Sequence, residues 1–283
     1  MAVGLGHRVF EPARPPRTHL EAALGSVLRE LNDSAPYVEY WTRQPWKHIE
    51  AHADVDEKLA AESGMLRYPQ HGHVLYLAVG TRVRGPTCVF DAVRGSDLAA
   101  SRSANSSAAD AETTRALIIV PAVPGRLLRF QGNLLHAVPA PTDRWLTPFS
   151  KSTPILPEAE WQRVVVLFNT WESPPPLDVE RDPPVADALD SVDGNGAVAA
   201  TCGRFQSWNA VHIHGEDLAD NENMRACASS GGDAEVMAKV WLLGDENRRG
   251  QAGRTVQVMA PATLGQALAQ ERKATRLALR TIS

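Results

Sequence analysis

The stretch Pro124-Gly125-Arg126-Leu127-Leu128-Arg129-Phe130-Gln131-Gly132-Asn133-Leu134-Leu135-His136-Ala137-Val138 decides how this chain is read. Two short apolar runs flank Gln131-Gly132-Asn133, and the combination reads as strand, tight turn, strand. The second strand carries one histidine among aliphatic neighbours. An imidazole in that setting must satisfy two ring nitrogens. It does so by binding a metal through one and hydrogen-bonding through the other, or as a core histidine bonded to backbone carbonyls.

The segments around this hairpin have the same texture. His73 to Val79 reads as a strand, Thr81 to Pro86 as a turn, and Thr87 to Phe90, Ala116 to Pro121 and Arg163 to Phe168 as further strands. These short β-branched or aromatic runs, separated by Gly, Pro, Asp and Asn, point to an antiparallel sandwich or barrel. No alternation of strand and helix suggests a doubly wound sheet. Val240 to Leu243 and Thr255 to Met259 look like more strands of the same kind. Thr18-His19-Leu20-Glu21 is a capping-box pattern. Apolar residues at 20, 23, 24, 27, 28 and 31 follow it, so a helix is expected over about 19–32, ended by Asn32-Asp33-Ser34 and Pro36. Leu264 to Leu279 reads as a closing helix. The expected class is mainly β with flanking helices. The expected organisation is a helical segment at 1–35 packing on a catalytic core at 36–171, with 172–283 as a C-terminal extension packed on the same domain. Ser173 to Asn195, rich in Pro and Asp, reads as a linker or a long surface loop. No internal repeat is visible.

Composition narrows the function. The chain has 283 residues, 43% apolar and 22% charged, with a formal charge of -4. That charge predicts no attraction to nucleic acid or anionic membrane. No apolar run approaches the roughly 18 residues of a spanning helix. Cys88, Cys202 and Cys227 form no CxxC pair, which argues against a zinc ribbon or a disulfide framework. The N-terminus lacks a secretory apolar core, so a cytoplasmic, reducing setting is expected, with an organelle transit segment as the alternative.

Three pairs of possible ligands have i, i+2 spacing, one His with Asp and two His with His, and on a strand that spacing turns both side chains to one face. His52-Ala53-Asp54 could grip an ion with His136. Asp56 and Glu57 are rival carboxylates, but Asp-Glu before Lys-Leu-Ala-Ala looks like a helix start, which leaves Asp54 as the ligand. His71-Gly72-His73 could line an entrance or sit on an exposed hairpin. His212-Ile213-His214 is a rival metal site of cupin or metallohydrolase type, without a third ligand at a recognisable spacing. Trp41, Trp46 and Trp171 read as core or site wall.

The order of these motifs resembles the Fe(II)/2-oxoglutarate-dependent oxygenases, and most of all their prolyl-hydroxylase-like branch. The resemblance covers about 48–171. It rests on His52-Ala53-Asp54, Tyr76-Leu77, Gly85-Pro86-Thr87, Pro124 to His136, and the strand opened by Arg163. It implies a double-stranded β-helix (jelly-roll, cupin-like) core with Fe(II) on His52, Asp54 and His136. Two imidazoles and one carboxylate leave three open positions. By the family pattern 2-oxoglutarate takes two and O2 the third, with ascorbate as reductant. The far carboxylate of the cosubstrate would meet Arg163, whose planar fork suits it, and the Tyr76 hydroxyl. Arg144 is a rival for that role, because Thr142 to Trp161 is interposed between His136 and Arg163, and Arg126 is a weaker one. A carboxylate in place of the small residue that halogenating members carry argues for hydroxylation. The substrate would be a peptidyl, for instance prolyl, side chain or a small molecule. Gly95 to Thr114 and Thr142 to Trp161 are candidate lids. A barrel-fold binding protein without turnover is the alternative class.

Overall fold

In the computed structural model the described residues are 6–46, 48–81, 83, 85–94, 114–139, 162–183, 224–226, 235–242, 254–269 and 272–281. They are mainly β. The strands are β1 (Arg8–Phe10), β2 (Tyr37–Pro45), β3 (Ile49–His52), β4 (His71–Val79), β5 (Thr87–Arg94), β6 (Thr114–Val120), β7 (Leu127–Gln131), β8 (Leu134–Val138), β9 (Gln162–Trp171), β10 (Met224–Ala226), β11 (Glu235–Leu242), β12 (Arg254–Pro261) and β13 (Ala274–Thr281). The helices are α1 (His19–Glu30), α2 (Glu57–Ser63) and a short α3 (Leu264–Leu268).

Two sheets result. One has the order β1-β2-β9-β4-β7. The other runs β10-β13-β12-β11-β3-β8-β5-β6, and β13 also pairs with β6, which closes the second sheet into a ring. All pairings are antiparallel except β10 with β13 and β3 with β11. Strands β2 to β9 therefore divide between the sheets, with β2, β4, β7 and β9 in one and β3, β5, β6 and β8 in the other.

Each sheet has two distinct faces, as the two-residue period of a strand requires. Val74, Tyr76, Leu128, Phe130 and Val165 of the first sheet meet Val89, Ile118, Val120 and Leu134 of the second in one buried cluster. The outer face of the first sheet packs Tyr40, Val166 and Phe168 against Leu24, Val27 and Leu28 of α1. On the other face of the second sheet, Cys88, Phe90, Leu117, Ile119, Leu135 and Ala137 pack with Ala260, α3 and Leu277. Burying each such aliphatic side chain contributes roughly 1.5–3 kcal/mol.

The local signals explain the ends of the helices. Thr18 Oγ1 accepts from Glu21 N at 3.1 Å, and Asn32 takes a positive φ of 52° just past α1. Asp56 caps α2 by accepting from Leu59 N at 3.1 Å, and Gly64 ends it at φ 72°. One expectation needs correction. The closing helix over 264–279 stops at Leu268, and Ala274–Thr281 is a strand. There Thr275 and Leu277 are buried while Arg276 is only half-buried, a period of two that the leucines and alanines mask. Tyr37–Pro45 is also a strand. Its alternation of Val38, Tyr40 and Thr42 with Glu39, Trp41 and Arg43 builds two faces with different partners.

His71 and His73 do not line an entrance. Both lie on the α1 side of β4, opposite Tyr76. His71 sits in a network with Asp33 and Arg129. His73 stacks on Phe168 at 4.2 Å, its Nδ1–H donates to Phe168 O at 3.2 Å, and its Nε2 is buried without a partner. Burial, with Arg129 nearby, pushes this imidazole down to about 3. The folded state thus holds His73 neutral, while the unfolded chain protonates it below about 6.5. Its stabilisation is complete above pH 6.5 and is lost as pH falls toward 3. Denaturant unfolding measured from pH 7 to pH 4 should show a decline on the order of 2 kcal/mol that His73→Phe flattens. An identical pH slope in that variant would remove His73 as the cause.

Candidate metal centre

Three elements bring the candidate ligands together. His52 ends β3, His136 lies at the middle of β8, and the two are register partners in an antiparallel pair. Such partners turn their side chains to the same face, here the face toward the first sheet. The rings stand 4.4 Å apart, centroid to centroid. Asp54 lies beyond the end of β3, in the connection to α2, so strand alternation is not what aims it. The chain turns there because Asp56 is committed to capping α2 and to Arg67, whose Nη2 donates to it at 2.5 Å. That commitment leaves Asp54 as the carboxylate at the histidines.

Asp54 Oδ1 is 3.6 Å from His52 Nε2 and 3.8 Å from His136 Nε2. Both distances exceed a hydrogen bond. Both fall inside the roughly 4.2 Å that two ligands of one ion, each at about 2.1 Å, can span. The remaining polar atoms are tied back. His52 Nδ1–H donates to Glu50 O at 2.7 Å and His136 Nδ1–H to Leu134 O at 3.4 Å. A carbonyl can only accept, so the Nδ1 proton is fixed on each ring and the Nε2 lone pairs are left for an ion. Asn169 Nδ2 donates to Asp54 Oδ2 at 3.2 Å, occupying the oxygen that does not face the histidines. Phe130 packs on His136 at 4.8 Å between ring centroids.

The charges suit an ion. Burial alone would raise the Asp54 carboxyl, but His136, His52 and the Asn169 amide together hold it below the usual carboxylate range. Burial, with His52 adjacent, pushes His136 down to about 4. Near neutrality the set is therefore one carboxylate and a buried neutral imidazole, with His52 offering Nε2. Among the described residues this is the one group of His, Cys, Asp or Glu whose ligand atoms gather closely enough to hold a metal, all within 4.8 Å of one another.

Arg163 and Tyr76 are also brought together. Arg163, 4% exposed, donates from Nε to Gly85 O at 3.0 Å and from Nη2 to Thr87 Oγ1 at 2.9 Å. Its Cζ lies 5.1 Å from the centroid of the Tyr76 ring, and the Tyr76 hydroxyl is 2.6 Å from Thr87 Oγ1. No carboxylate pairs with this buried guanidinium among the described residues. It lies on the same face of β9 as Asn169, six residues along the strand. Arg126 is occupied elsewhere, donating to Pro121 O at 2.7 Å. Trp171 donates from Nε1 to Glu39 at 3.2 Å and Trp46 to Pro139 O at 3.0 Å, so both are wall and core residues. Arg144, His212, His214 and nearly all of both candidate lids lie outside the described residues.

Asn169 was not anticipated. The available signal was a polar residue on an apolar strand, at an even number of positions from Arg163. Asn169→Ala should lower metal affinity about 10–100-fold, the usual cost of losing a partner behind a ligand. Competition titration with a chromophoric chelator measures this, and an affinity within twofold of the parent would show that the amide does not orient Asp54.

No protein-family model, curated protein or solved structure matches this chain. Among the described residues no helix is long and apolar enough to cross a membrane.

Proposed function

We propose that this protein is an Fe(II)- and 2-oxoglutarate-dependent dioxygenase that hydroxylates an unactivated C–H bond of a peptidyl or small-molecule substrate. The observation that carries the reading is the convergence of His52 Nε2, His136 Nε2 and Asp54 Oδ1, with every other polar atom of the three side chains held by a partner or facing away. Nitrogen donors with one carboxylate suit a borderline divalent ion such as Fe(II). The division of consecutive strands β2 to β9 between two facing sheets supports reading the core as a double-stranded β-helix.

When bound, Fe(II) with 2-oxoglutarate and O2 supplies the oxidising power, and the cosubstrate leaves as succinate and CO2. The chain's residues supply placement. His52 and His136 hold their rings by Nδ1 and present lone pairs. Asp54 stays ionised and offers one oxygen, fixed by Asn169. Among the described residues Arg163 is a buried cation bonded only to neutral groups, so a carboxylate beside it would relieve an uncompensated charge. Tyr76 and Thr87 extend hydroxyls to the same place. The Phe130, Val74 and Val165 surface excludes water from that side.

The assay is succinate formation from 2-oxoglutarate with Fe(II), ascorbate and O2, supplied with peptide and metabolite pools. Iron-dependent succinate above the level of a ligand-free variant is the expected result. Its absence with every pool, in protein that binds iron, would sink the reading.

A further inference from the structure

The inner face of β2 is the part of the site that neither the metal ligands nor the Arg163 cluster uses. In the β2–β9 register Glu39 faces Asn169, Trp41 faces Leu167 and Arg43 faces Val165. Asn169 reaches Asp54 and Val165 lies in the cluster between the sheets, so Trp41 and Arg43 stand on the triad side. Two donors there lack a protein partner among the described residues, solvent-exposed Arg43 and buried Trp41 Nε1. Arg43 makes no hydrogen bond or ion pair with any described residue, and its guanidinium lies within electrostatic range of Asp54, His136 and Arg163. Trp41 is 7% exposed, and its Nε1 is buried without an acceptor. A buried indole N–H without a partner costs about 1–3 kcal/mol. The Trp41 ring itself is fixed, stacked on His7 at 4.4 Å, and His7 is held in turn by Glu39 at 2.6 Å.

An unpaired donor and an unpaired cation two residues apart on one strand face call for the same ligand, an anion with several acceptor oxygens. Arg163, already bonded through two nitrogens and closed from solvent, is suited to the far, inner carboxylate of the cosubstrate. Arg43 is solvent-exposed, which suits a molecule arriving from solution. We propose that Arg43 and Trp41 form the substrate-recognition site beside the triad and that the substrate is a carboxylate-bearing molecule. This rests on the oxygenase reading for the word substrate, but not for the binding itself. The guanidinium takes the carboxylate, the indole N–H adds a second donor, and the reacting carbon is held on the side of His52, Asp54 and His136.

The test uses the full chain loaded with Mn(II) and saturating 2-oxoglutarate, titrated with benzoate and with its neutral isostere benzamide, and read by tryptophan fluorescence and calorimetry. Mn(II) affinity is followed separately by the spin resonance of the free ion. Benzoate should bind at least tenfold more tightly than benzamide. Arg43→Gln should abolish that preference, and Trp41→Phe, which keeps the stack on His7, should reduce it several-fold. Mn(II) affinity should stay within twofold in both variants. Equal binding of benzoate and benzamide, or an Arg43→Gln variant that keeps the preference, overturns the proposal. So does a preference lost only on Arg163→Gln. Failure to bind Mn(II) would instead overturn the oxygenase reading. The benzoate comparison on metal-free protein then still decides this one, because neither Arg43 nor Trp41 is a metal ligand.

Discussion

His136→Ala is expected to lower affinity for a first-row divalent ion by at least about a hundredfold, more than outer-shell losses usually cost, and to abolish iron-dependent succinate formation. Among the described residues the imidazole is one of only two nitrogen donors at the site, and no nearby group can replace it. Phe130 packs against it, Leu134 offers only a carbonyl oxygen, and Asn169 is held on Asp54. Alanine also leaves a small void next to Phe130. The variant therefore needs a folding control, and unfolding of the metal-free protein should stay within about 1–2 kcal/mol of the parent. Chelator competition and turnover are the two readouts. Unchanged metal affinity in a folded variant would remove His136 from the ligand set and with it the assignment of the site.

The second large effect is on stability. Gly132 occupies the turn between β7 and β8, where a Cβ would lie 2.2 Å from Pro69 O and 2.7 Å from Pro69 C. Those atoms are backbone, and Gly132 N already donates to Gln70 O at 3.1 Å. Neither side can yield without breaking that bond or opening the hairpin. Gly132→Ala should cost about 2–3 kcal/mol, which lowers Tm by roughly 5–10 °C, and should loosen metal binding because the displaced hairpin carries His136. Gly265→Ala is the control. Its Cβ meets nothing within 4 Å and it sits in α3, so alanine should stabilise by about 0.5–1 kcal/mol. A Gly132→Ala variant that melts with the parent would show that the turn has room.

The parts of the site that could be read from sequence were those fixed by neighbouring residues. The β7–β8 hairpin announces itself through Gly132 and flanking apolar runs, and Asp56-Glu57 through helix capping, which left Asp54 beside His52. What could not be read depends on pairings between residues far apart in the chain. Asn169 matters only because β9 lies where its amide meets Asp54. Arg43 and Trp41 matter only because β2 pairs with β9 in one register, and a shift of one residue would turn both to the α1 side. Ala274–Thr281 carries leucines and alanines that suit a helix in isolation, and its partner β6 decides otherwise.

That last pairing bears on how the molecule is made. Thr275 pairs with Ile119 and Leu279 with Arg115, so β6 waits for its second neighbour until more than half of the chain has followed it out of the ribosome. Until then a strand rich in Leu117, Ile118 and Ile119 presents an unpaired edge, the kind of surface through which nascent chains associate. Loop closure over so long a separation is slow. Folding yield in the cell should therefore depend more on the rate of synthesis and on chaperone cover than the stability of the finished protein would suggest.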